Sequence, residues 1–133
     1  MKADELRLEE LIDFSNGNLS LQGRRLVLHD MHAFAQFRQD LFSMLGVDST
    51  RRILTRFGYF WGEADAAAMD RVFRWDNLRE RLLAGPRLHT LQGVVSAHVN
   101  TLDLDEDSGS FYMAVTWHNS GEADEHISAE GVS

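Results

Sequence analysis

Apolar positions change period more than once along this chain. In the opening stretch MKADELRLEELIDF, Leu6, Leu8, Leu11 and Ile12 mark a short helix or an arm. In FSNGNLSLQGRRLVLHD the period drops to two. Leu19 and Leu21 alternate before Gln22-Gly23, and Leu26 and Leu28 alternate after it. With a second turn signal at Asn16-Gly17, this pattern predicts a β-hairpin.

From Met31 the period becomes helical. Asp30 suits an N-cap, Phe34, Phe37, Leu41, Phe42 and Leu45 form a stripe, and Gly46 stands where a C′ glycine belongs. Asp48 or Ser49 caps a second helix whose stripe is Ile53, Phe57, Phe60, Trp61, Ala64 and Ala68. Gly58 and Gly62 lie inside it, each costing about 1 kcal/mol relative to alanine. Close packing against another element, or a kink, is the expectation there. The stretch WDNLRERLLAG predicts a third helix, stopped by Gly85-Pro86.

After Gly93 the chain turns β-rich. VVSAHVNTLDLD and SFYMAVTWH alternate around the turn EDSG and predict a second hairpin, with Phe111, Met113, Val115 and Trp117 on one face. Beyond Ser120, Glu122 and Asp124 favour the start of a short helix. The fold class read from this order is α+β: an N-terminal β-hairpin, central helices, a second β-hairpin and a short C-terminal helix. All of it belongs to one domain over residues 1–133.

Composition narrows the function. Hydrophobic residues make up 44%, enough for a core. No apolar run approaches the roughly 18 residues that span a bilayer. The acidic, amphipathic start is unlike a signal peptide. Without cysteine the chain has no disulfide and no thiolate metal site. A cytoplasmic protein with no membrane partner is expected. The net charge is −8, and all 13 basic residues fall within residues 1–87. There they are interspersed with acids rather than clustered, so direct contact with nucleic acid is not expected.

Motifs for catalysis are missing: no GxSxG, no glycine-rich phosphate loop, no cysteine nucleophile. The reading is a non-enzyme. His29 and His32 straddle a helix start, and His118 and His126 flank the last segment. No HExxH or tight His/carboxylate cluster joins them, so no metal site is expected from this chain.

His89 and Trp117 remain. Alone, His89 between two leucines reads as a packed histidine, and Trp117 on an apolar strand face reads as core. Together they offer hydrogen-bonding groups from apolar surroundings. The indole N–H donates only, whereas imidazole donates or accepts. A small aromatic with one polar substituent suits such a pair.

Four stretches carry a resemblance: RRLVLHD, GVDSTRRILTRFGYFWGEADA, GPRLHTLQGVV and FYMAVTWHNSGEADEH. They resemble the N-terminal sensory domain of sigma-54-dependent activators of aromatic catabolism, of the XylR/DmpR type. The resemblance runs from about Leu6 to the C-terminus. It implies a homodimeric sensory domain that binds a small aromatic effector, such as a phenol or alkylbenzene. Effector binding then relieves repression of a following AAA+ ATPase domain, which acts on sigma-54 polymerase, while a separate C-terminal domain binds DNA. In phenol sensors of the family, the residues matching His89 and Trp117 hydrogen-bond the hydroxyl.

The resemblance also implies pocket walls. Leu82 and Val115 stand where phenol sensors often carry aromatics, so a pocket lined by aliphatics is expected, one that leaves room for an effector bulkier than phenol or not phenolic at all. Val95 and Met113 complete the expected effector-binding set, with Phe111, Tyr59 and Trp61 on neighbouring elements. The family's cysteine-ligated zinc site and vinyl-4-reductase-like portion would follow Ser133, so no cofactor is expected within these residues. Two other readings are a dimerisation or docking module without ligand, and an accessory or carrier protein related to vinyl reductases.

Overall fold

The computed structural model describes the backbone of residues 1–130 and the side chains of residues 1–125; the side chain of His126 lies outside the described residues. A single 3₁₀ turn (Ala3–Glu5) leads into α1 (Leu8–Leu11). The chain then forms β1 (Ile12–Ser15), β2 (Asn18–Leu21) and β3 (Arg24–Leu26), an antiparallel meander in that order. Both turn signals are used. Asn16 and Gly17 have φ of 52° and 74°, and Gln22 and Gly23 have φ of 48° and 81°. Positive φ at both central residues matches the right-handed twist of the flanking strands. The predicted hairpin is therefore a three-stranded sheet, because the Asn16-Gly17 turn folds Ile12–Ser15 back as an additional strand. Leu28 lies beyond β3 and is 87% exposed, so it extends no strand face.

The helical centre is α2 (Met31–Val72). Asp30 caps it by accepting from the Ala33 N–H at 3.2 Å. Gly46, at φ 75° and ψ 173°, breaks the helix where the two predicted helices meet. Of α2, Met69 joins the main core cluster, while Ala35, Thr50 and Ala68 are buried outside it. The aromatic part of the stripe predicted to pack is instead uncovered: Ile53, Phe57, Phe60 and Trp61 are exposed, and only its end at Ala68 is buried. Gly58 and Gly62 neither pack closely nor kink. A Cβ at either would meet nothing within 4 Å, and the backbone there stays helical.

The third helix, α3 (Leu78–Leu91), starts where Asn77 Oδ1 accepts from the Glu80 N–H at 3.0 Å. It does not stop at Gly85-Pro86, as predicted, but runs through Pro86. Proline crowds the side chain of the preceding residue. Gly85 has no side chain to crowd, and a Cβ there would meet nothing within 4 Å. The Thr90 hydroxyl then donates to the Pro86 carbonyl at 3.2 Å, fastening the turn after the proline.

The second hairpin forms as expected from β4 (Ser96–Asp105) and β5 (Ser110–His118), followed by α4 (Gly121–Glu130). Asp105 shapes its turn. Its carboxylate accepts from the Ser108 hydroxyl at 2.7 Å and from the Asp107 and Ser108 N–H groups at 3.1 and 3.3 Å. These donors hold the carboxyl below the ordinary aspartate value, the Ser108 hydroxyl most of all. The core joins Ala3, Leu6, Leu11 and Leu21 to Met69 of α2 and to Ala84 and Leu88 of α3. The N-terminal segment, the first sheet and two helices thus converge on one cluster.

Candidate functional site

Burial of Ala84 and Leu88 fixes the rotation of α3 about its axis. Leu82 and His89, seven residues apart, share a different face, and both are half-buried. His89 is thus in the last turn of a helix rather than at the helix–strand junction that a stop at Pro86 implied.

The end of α3 is a Schellman motif. The Gly93 N–H donates to the Thr90 carbonyl at 3.2 Å and the Val94 N–H to the His89 carbonyl at 3.0 Å. Gly93 has φ of 75°, a left-handed conformation that suits glycine. This motif fastens the backbone of His89 to the start of β4. Val95 follows, 3% exposed.

On β5, Met113, Val115 and Trp117 alternate onto one face with Phe111. Their partners on β4 are Leu102, Val99, Ala97 and Leu104 respectively. Val99 and Leu102 are an odd number of residues apart, so a regular strand would put them on opposite faces. The bulge between Val99 and Thr101 corrects this, and both face the apolar row of β5.

Two links bring the ends of α3 and β5 together. The Ala97 N–H donates to Thr90 Oγ1 at 3.0 Å, and Ala97 stands directly opposite Trp117. The Val94 carbonyl, next to the amide that closes on His89, accepts from the Gly121 N–H just beyond β5 at 3.5 Å. The elements that carry His89 and Trp117 therefore meet at one end of the second hairpin.

Trp117 is 62% exposed, so it is not a core residue. The apolar face around it is open to solvent rather than closed over a hollow. A cleft of about 340 Å³ lies elsewhere, lined by Leu83, Arg87, Thr90, Ala97 and Val99 among others; none of the six predicted effector-binding residues lines it. Among the described residues, no group of three or more histidines and carboxylates stands where it could hold a metal. Among the described residues, no helix is long and apolar enough to cross a membrane.

Residues 7–105 match the family described as activator of aromatic catabolism. The chain belongs to that family. Among curated members and relatives, it is 34% identical over 123 residues to the phenol regulator MopR of Acinetobacter guillouiae, covering 92% of this chain and 22% of that protein. It is 29% identical over 110 residues to the transcriptional regulatory protein XylR of Pseudomonas putida, covering 83% of this chain and 19% of that protein. A solved relative is the phenol-responsive sensory domain of the transcription activator PoxR with phenol. It superposes with a TM-score of 0.85 at 28% identity, over 95% of this chain and 64% of that one. The chain thus spans about a fifth of its curated relatives and corresponds to a sensory domain of activators of aromatic catabolism.

Three residues at the site escaped sequence reasoning: Thr90, Gln92 and Asp65. Thr90 and Gln92 sit beyond a proline that locally signals a helix stop, so nothing in the sequence places them at the end of α3. Asp65 carried a signal, a carboxylate on the same helical face as Ala68 and Met69.

Proposed function

We propose that residues 1–133 form the effector-binding part of a transcriptional activator's sensory domain. The effector is a small aromatic of phenol or alkylbenzene type. His89 and Trp117 bind its polar substituent, and Leu82, Val115, Val95 and Met113 contact its ring. The carrying observation is that this chain shares the fold of a phenol-bound sensory domain and that the ends of its α3 and β5 meet.

The protein works in the cytoplasm as a regulator rather than an enzyme. Effector binding favours the sensory state that no longer restrains a following AAA+ domain acting on sigma-54 polymerase. DNA contact belongs to another domain, and the family's zinc site belongs to the vinyl-4-reductase-like portion. The exposed aromatic stripe of α2 supports homodimerisation, since an apolar face of this extent marks an interaction surface. The openness of the face around Trp117 favours a second reading, a docking module whose ligand site is lost.

Calorimetric titration of the intact protein with phenol, catechol and toluene separates the two readings. Sensing predicts saturable binding, with His89→Ala weakening phenol by roughly 1–3 kcal/mol as a buried polar group loses its partner. Absence of binding to all three supports docking, and unchanged phenol affinity in His89→Ala removes His89 from the site.

A further inference from the structure

Asp65 is 4% exposed, and a buried carboxylate is costly unless paired and hydrogen-bonded. Its two partners come from different elements. Arg24 of β3 forms an ion pair with it, and Gln92 Nε2 donates to Oδ2 at 3.0 Å. One side chain of α2 therefore joins the first sheet to the residue that ends α3.

Gln92 is the C-cap of α3, and its N–H donates to the Leu88 carbonyl at 2.9 Å. It lies inside the loop that the Val94 N–H closes on the His89 carbonyl. Gln92 Oε1 and Arg24 Nε are buried without a hydrogen-bond partner among the described residues. Among the described residues, the Gln92 side chain is thus anchored through Asp65 alone.

We propose that Asp65 is a positioning residue of the effector site, holding the last turn of α3, and with it the His89 imidazole, through Gln92. This rests on the reading of His89 as the partner of the effector's polar group. A hydroxyl recognised by the imidazole depends on that turn more strongly than the ring, whose apolar contacts are spread over Leu82, Val115, Val95 and Met113 on three segments of the chain. Asp65 therefore supports discrimination between hydroxylated and plain aromatics without touching either.

The main variant is Gln92→Met, which cuts the link while leaving the Asp65–Arg24 pair intact; Asp65→Asn serves as a second. Without ligand, amide hydrogen exchange at Val94 is expected to quicken about tenfold in Gln92→Met, with the amides of the first turns of α3 unchanged. With ligand, phenol is expected to bind about tenfold more weakly, the loss of roughly one hydrogen bond, while toluene stays within about twofold. That selective loss should vanish in a His89→Ala background. Unchanged exchange at Val94, or equal losses for phenol and toluene, overturns the proposal. If the unsubstituted protein binds neither compound, the functional reading fails, and the proposal that rests on it is overturned with it. In that case exchange at Val94 still reports separately whether Gln92 tethers the turn.

Discussion

The Thr90 hydroxyl accepts from the Ala97 N–H at 3.0 Å while donating to the Pro86 carbonyl at 3.2 Å, so one side chain fastens the end of α3 both to β4 and to its own proline turn. Thr90→Val keeps the shape and removes both bonds. It is expected to cost about 1–3 kcal/mol, because the half-buried Ala97 N–H loses its acceptor. Urea unfolding measures this, and a loss below about 0.5 kcal/mol would show that the tie carries no weight.

Gly46 interrupts α2 with φ 75° and ψ 173°, a region almost closed to side chains. Gly46→Ala is expected to destabilise the fold by roughly 1–3 kcal/mol, although a Cβ there meets no neighbouring atom. The cost lies in the backbone alone. Thermal unfolding reads it, and an unchanged midpoint would mean that the two arms of α2 join as a continuous helix in solution.

How far the sequence reveals this fold depends on whether local chemistry or tertiary context decides each element. The Asn16-Gly17 and Gln22-Gly23 turns, the Asp30 cap and the Gly46 break are local, and each was legible from one or two residues. The course of α3 was not. Proline signals a stop, but Gly85 removes the crowding that would enforce it, and the Thr90 bonds that stabilise the continuation link residues four and seven apart. Periodicity places the apolar stripe of α2 on one helical face, but it does not say whether that face is buried, and the aromatic part of it is exposed. His89 and Trp117 stand out as polar groups in apolar surroundings, but only the family resemblance adds Leu82 and Val115, since aliphatic residues on a helix or strand carry no signal of their own. The Asp65 link depends on contacts across 27 and 41 residues, which no local pattern encodes.

Acid should reveal the Asp70–Arg81 pair. Arg81 Nε donates to both Asp70 oxygens, at 3.0 and 3.1 Å. These hydrogen bonds are the main cause holding the Asp70 carboxyl below its ordinary value of 3.8. A depressed folded value contributes stability above the unfolded value, and that contribution is lost as pH falls through the folded one. Both side chains are at least a third exposed, so the pair contributes at most about 1 kcal/mol. Arg81→Gln should lower the unfolding free energy near neutral pH and converge with the unsubstituted protein in strong acid. A gap that persists undiminished there would assign the effect of Arg81 to packing.

The central claim, that a phenolic effector meets Trp117, is tested most directly by the indole N–H resonances in a ¹H–¹⁵N correlation spectrum recorded during a phenol titration. The chain has three tryptophans, so Trp61 and Trp75 are internal controls. The account predicts a saturable shift of the Trp117 indole, with the other two nearly still and a smaller response to toluene. A Trp117 indole that stays in place at saturating phenol would contradict it.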